Sequence, residues 1–164
     1  MQPIILNRGQ GVALVDDEDF AVLNQYRWRK HRVKGTNLVY VYASIPNRRP
    51  LAMHRVVMKA TKGQVVDHIN GDGLDNRKSN LRVCTTAQNI RNQAPNPAKG
   101  TSRYKGVYWR SNRSCWITQL VLNQQKVVRK HFQTEEDAAQ HYDYLARKHF
   151  GEFARLNFPQ EVTA

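Results

Sequence analysis

Asp67 and His68 set a carboxylate beside an imidazole, and three asparagines follow at Asn76, Asn80 and Asn89. An imidazole has an ordinary pKa of about 6.5, so it can take a proton from water near neutral pH. Carboxylate and amide oxygens are hard donors, of the kind that suit magnesium better than zinc. These residue types therefore admit proton transfer beside a divalent cation. An Asp-His pair in a stretch rich in Gly and Asn also describes a plain surface turn, and Asn76 and Asn80 suit an ordinary loop equally well. The elements around them decide between the two.

Val65 and Val66 lead into Asp67-His68 as a short β segment does, and Gly71-Asp72-Gly73 then breaks the pattern with turn formers. The polar loop continues through Asp75-Asn76-Arg77-Lys78-Ser79-Asn80. Leu81-Arg82-Val83-Cys84 alternates apolar and polar like a second strand, and Thr85-Thr86-Ala87-Gln88 is a capping box that opens a helix. The predicted order is strand, long loop, strand, helix.

This succession, D-H-I-N-G-D-G-L-D-N-R-K-S-N-L-R-V-C-T-T-A-Q-N, resembles the HNH endonuclease family over residues 53–92. The resemblance implies a ββα-metal site, a hairpin crossed by a helix, that hydrolyses phosphodiesters. It implies His68 as general base, Asp67 and Asn89 as ligands of magnesium or manganese, and Asn80 as a brace of the loop or of His68. Side chains of a strand alternate in direction, which suits attack by water from the His68 side with the metal on the leaving-group side. His54-Arg55 also has counterparts in such proteins; packing or a phosphate contact is expected of His54 rather than metal ligation. Arg29, Arg55 and Arg77 are expected on the DNA.

Lys and Arg number 26 against 13 Asp and Glu, a formal net charge of +13. Such an excess points to a polyanion, with nucleic acid first, a membrane surface second and a plain solvated face third. The excess is shared over residues 1–60, 61–98 and 99–164, so no part is merely a basic tail. Cys84 and Cys115 stand far apart without a CxxC, which suggests neither structural zinc nor a disulfide framework. No apolar run approaches the roughly 20 residues of a membrane span, and a cytoplasmic protein is expected, in the host cell if phage-encoded.

Ahead of the site, Ile4-Ile5-Leu6 and Val12-Ala13-Leu14-Val15 predict a hairpin, and Asp16-Asp17-Glu18-Asp19 a capped helix. The helix is expected to run through Phe20, Leu23 and as far as Tyr26. Strand-like sequence starts at Trp28 and recurs at 38–43, with basic residues interleaved among aromatic ones, either along a DNA backbone or as a solvated edge. Residues 93–101, with two prolines and a glycine, form an expected linker between an N-terminal domain at 1–92 and a second at 102–159.

Residues 103–109, 115–122 and 126–132 predict three strands, with turns at 112–114 and 123–125. Thr134-Glu135-Glu136-Asp137 caps a helix whose packed face holds Ala138, Ala139, Tyr142, Leu145, Ala146 and His149, and Gly151 ends it. Phe153, Leu156 and Phe158 are expected to close the core. K-G-V-Y-W, C-W-I-T-Q-L, F-Q-T-E-E-D-A-A-Q-H-Y-D and F-G-E-F-A-R-L-N-F-P resemble the Apetala/ethylene-response-factor (AP-two) DNA-binding domain. That resemblance implies a sheet that reads DNA near Lys105, Tyr108, Arg110, Arg113, Gln119, Lys126 and Val128. Several of these depart from the plant pattern, and Lys130 replaces a usual glycine, so the fold carries over and the plant target does not.

The expectation is thus an α+β chain in which an HNH nuclease domain is joined to a three-stranded antiparallel sheet packed on one helix. It would act on double-stranded DNA as a monomer or weak dimer, as a homing-type, phage-like endonuclease. The rival is a DNA-binding regulator that keeps this fold without activity. An RNA-directed role is disfavoured, since no single-strand aromatic platform of the RRM kind is present.

Overall fold

The computed structural model describes residues 1–36, 38–95, 100–122 and 125–159, with backbone alone at 125–127. It is an α+β chain with two compact units, Met1–Ile90 and Arg91–Ala164. Among the described residues no helix is long and apolar enough to cross a membrane.

In the first unit β1 (Gln2–Ile5) pairs with β2 (Val12–Val15), burying Ile4, Ala13 and Val15. The helix α1 (Asp17–Leu23) follows, and β3 (Trp28–Arg32), β4 (Val39–Ala43) and β5 (Leu51–Ala52) form an antiparallel sheet in that order. Trp28 anchors the shared core, with its indole N–H donating to Leu23 O at 2.7 Å. Val41, Ala43, Met53 and Val57 pack there, the last two from the short helix α2 (Met53–Val57).

The acidic run puts Asp17, Glu18 and Asp19 in the first turn of α1 as expected, and only the cap residue departs from expectation. Asp16 makes no side-chain cap bond to the helix; its carboxylate accepts instead from the Lys78 backbone N–H at 2.7 Å. The Lys78 ammonium pairs with Glu18 and Asp19. The acidic residues thus fasten the later loop as well as meeting the positive end of the helix.

The expected hairpin is β6 (Val65–His68) against β7 (Leu81–Cys84), and α3 (Thr86–Asn92) follows. The capping box is reciprocal, with Gln88 N–H donating to Thr85 Oγ1 and Thr85 N–H to Gln88 Oε1. The loop between the strands is threaded onto the earlier sheets. Leu14 N–H donates to Leu74 O and Asn76 N–H to Leu14 O, both at 2.8 Å. Gly73 crosses β4 so closely that a Cβ there would stand 1.7 Å from Val39 O.

In the second unit β8 (Val107–Arg110), β9 (Cys115–Leu122) and β10 (Gln125–Phe132) form an antiparallel sheet in the order β10-β9-β8. The helix α4 (Glu135–Phe150) packs on it through Ala138, Ala139, Tyr142, Leu145 and Ala146. Thr134 caps it by accepting from Asp137 N–H, and Gly151 ends it at φ +53°. His149, expected on the packed face, is only half-buried, and Phe150 fills that place. The strand expected from residue 103 begins at Val107, because Asn157 brackets the Lys105 backbone with its amide before the sheet starts. Phe158, expected in the core, lies at its edge against Tyr104. Lys126 is described in backbone only, and parts of the expected linker (96–99) and of the second turn (123–124) lie outside the described residues.

Gly73→Ala should force the site loop off β4, at about 1–3 kcal/mol or more as for other overpacked positions. Urea unfolding followed by tryptophan fluorescence should show a lowered midpoint; an unchanged midpoint would mean that the crossing is not tight.

Candidate active site

The hairpin brings Asp67, His68 and Asn80 together, all at most 7% exposed. Because strand side chains alternate, Asp67 turns to Arg82 while His68 turns to His54 and Tyr40. Asp67 stands opposite Arg82 in the register, and its Oδ2 accepts from Arg82 Nε at 3.1 Å and Nη2 at 2.9 Å. The rings of His68 and His54 lie 5.2 Å apart, and Tyr40 lies 6.0 Å from the first and 5.4 Å from the second.

Asn80 braces the loop. Its Oδ1 accepts from Asn70 N–H at 3.0 Å and its Nδ2 donates to Asp75 O at 2.8 Å. The residue that orients His68 is Asn76, which is 0% exposed. Asn76 Nδ2 donates to Gly73 O at 3.2 Å; that carbonyl can only accept, so the amide oxygen faces His68 Nε2 at 3.3 Å. Nε2 must then carry the ring proton, which makes Nδ1 the lone-pair nitrogen. Asn76 had looked like an ordinary loop residue, and only the folded path of 70–80 reveals this role. Arg82 was likewise read as the polar member of a strand; a register for the hairpin would have set it opposite Asp67.

Burial lowers the pKa of His68, against the raising effect of the Asn76 bond and of Asp67, Asp72 and Asp75. Burial, then the charges of His68 and Arg55, hold His54 down at about 3, and its Nδ1 is buried without a hydrogen-bond partner. Burial, then Tyr42 and Asp67, raise Tyr40, so its phenol stays protonated. Arg77 lowers the pKa of Asp75, which it clamps through Nε at 2.7 Å and Nη2 at 2.6 Å.

Asn89 is half-buried in α3. The Cys84 thiol, raised by burial and then by Asp67, also bonds the Asn89 backbone N–H, so the start of α3 lies within electrostatic reach of Asp67. Among the described residues no group of three or more His, Cys, Asp and Glu is arranged to hold a metal. A cation here would rest on the Asp67 carboxylate, an amide oxygen, water and substrate oxygens, a donor set that fits magnesium, and it would share the carboxylate with Arg82.

The other expected DNA contacts are placed as follows. Arg29 is exposed and bonds Ser44 Oγ. Arg55 donates to Gln64 O, Thr61 O and Ala60 O, so its guanidinium braces the turn after α2. In the second unit Lys105 Nζ donates to Arg91 O and Gln93 O. Thr118 Oγ1 donates to Ala138 O in α4. With the strand register, this puts Tyr108, Arg110 and Gln119 on the opposite face, together with Arg129, which the sequence had not singled out. Arg113 is exposed in the turn after β8.

Both buried histidines have folded pKa values below the unfolded value of about 6.5. The unfolded chain therefore binds more protons, and stability is full above about pH 6.5 and falls as pH drops toward about 3 for His54, by up to about 1.4 kcal/mol per pH unit for each histidine. Urea midpoints should fall between pH 7.5 and 5, before most carboxylates titrate, and fall less in His54→Leu. A midpoint independent of pH in this range would contradict neutral burial.

The profile of a family described as HNH endonuclease matches residues 51–91. An uncharacterized HNH endonuclease of Acanthamoeba polyphaga mimivirus is 30% identical over 154 residues, which is 93% of this chain and 79% of the relative. No solved structure matches significantly. Since the profile falls on the hairpin and helix that carry Asp67, His68, Asn80 and Asn89, and the relative aligns over most of both chains, the chain belongs to the HNH endonuclease family and is a DNA endonuclease.

Proposed function

We propose a magnesium- or manganese-dependent endonuclease in which His68 is the general base and acts through Nδ1. The observation that carries this reading is the Asn76 contact, which holds the ring proton at Nε2 and leaves Nδ1 as the basic nitrogen, while burial keeps the ring neutral. Asp67 and Asn89 hold the cation. When bound, it stabilises charge on the phosphoryl oxygens and the leaving oxygen. Asn80 keeps the loop closed, and Arg82 holds the Asp67 carboxylate in place. Proton transfer to a placed base supplies typically 10²–10⁴ of rate.

The second unit supplies affinity and placement in this proposal, through the sheet face with Tyr108, Arg110, Gln119 and Arg129 and through Arg113 and Lys126; the AP-two resemblance supports it. Two linked DNA contacts raise the effective concentration of each for its site, so neither needs to bind tightly alone. Arg55 and Arg77 serve the scaffold before the DNA, since their guanidinium groups already bond the protein. The relative belongs to a giant virus and does not bear on a phage origin; homing-type cleavage by a monomer or weak dimer, in a phage or mobile-element setting, is the mode of action proposed from the sequence alone.

The test is nicking of supercoiled plasmid by wild type and His68→Ala, with magnesium or with EDTA. Cutting should require magnesium or manganese and fall at least 10²-fold in the variant, while DNA retention on a gel persists. Undiminished cutting would remove His68 as base. DNA held but left uncut under all metals would indicate a binding regulator.

A further inference from the structure

We propose that the outer face of β3 and β4 is the track of the DNA strand that is cut, its tyrosines packing on deoxyriboses and its cations pairing with phosphates beside the scissile one. This rests on the nuclease reading above. Strand alternation defines the face. Val41 and Ala43 are buried in the core at 0% and 1% exposure, so Tyr40 and Tyr42 point the other way. In the register Tyr42 stands opposite Arg29 and Tyr40 opposite His31, which puts all four on one surface.

That surface is a continuous row of rings. His31 meets Tyr42 edge-on at 5.7 Å, Tyr42 meets Tyr40 at 6.4 Å, and Tyr40 lies 6.0 Å from His68. The row leads from an exposed edge strand to the imidazole assigned as base. A groove of about 750 Å³ runs over it, with Arg29, Lys30, His31, Tyr40, Tyr42 and Arg49 in its walls and no carboxylate among the described residues that line it.

The chemistry of the occupant follows from this lining. Arginines bind phosphate with charge-assisted hydrogen bonds, and lysine serves as a point charge. Tyrosine offers an apolar face and a donating hydroxyl; Tyr40 keeps its proton, so near the site it can donate to a phosphate oxygen but cannot compete with His68 for a proton. A basic edge that only discourages sheet pairing would need the cations but neither the tyrosine row nor its end at His68. Because the contacts are with sugar and phosphate, the track holds the strand in register without reading its sequence.

The experiment uses the full chain carrying Arg29→Gln with Arg49→Gln, and separately Tyr42→Ala, with exposed Lys62→Gln as a control outside the groove. Single-turnover cleavage of one duplex is followed as a function of protein concentration and of salt, after thermal melts establish that each variant is folded. The double variant should need at least tenfold more protein for half-maximal cleavage, and its salt slope should fall by about 2, at about 0.9 per lost phosphate contact. Tyr42→Ala should raise half-saturation with the slope kept. Lys62→Gln should change neither. Half-saturation and slope equal to wild type in the double variant would overturn the track. If wild type itself cuts no DNA under any metal, the nuclease reading fails instead, and the same salt slopes measured by binding still decide whether the groove holds DNA.

Discussion

The contact between Asn76 and His68 is the constraint on which the active centre depends. A histidine at the end of a strand is of use as a base only if one nitrogen is protonated and held while the other keeps its lone pair. Asn76 does the holding from a fully buried position, and its own amide is set by the Gly73 carbonyl. A carboxylate in place of Asn76 would favour the imidazolium; an alkyl group would leave the tautomer open.

The rest of the first unit can be understood as what keeps Asn76 there. A polar loop of this length would pay a large ordering cost if it stood alone. It is tied instead to three earlier elements: to β2 through both polar groups of Leu14, to β4 by the close approach at Gly73, and to the acidic start of α1 through Lys78. Inside the loop, Asn70, Asp75, Arg77 and Asn80 bond one another. The N-terminal hairpin and helix, which carry none of the chemistry, are therefore what give the site its shape. Arg82 performs the corresponding task for Asp67 from the partner strand.

Much of this was legible in the residues. Asp-His after two valines, the glycine-flanked loop, the alternating 81–84 and the Thr85/Gln88 box announce the hairpin and helix, because turn chemistry and capping act over a few residues. The same holds for α4 and its caps. What escaped depends on long-range register. Nothing local distinguishes Asn76 from Asn70, nor tells that Arg82 faces a carboxylate rather than solvent; both facts arise when strands fifteen residues apart pair. The acidic run at 16–19 starts α1 as expected, but its second task escaped for the same reason, since its carboxylates also meet Lys78, 60 or so residues away. The start of β8 was placed too early because Asn157, far along the chain, captures the Lys105 backbone first.

The most direct measurement is the tautomer of His68. In long-range ¹H–¹⁵N correlation spectra of histidine-labelled protein near pH 7, with His68 assigned by its loss in His68→Gln, the ring should be neutral with the proton on Nε2. Asn76→Ala should release that preference. A proton on Nδ1, or a cationic ring at this pH, would contradict the account of how His68 becomes a base.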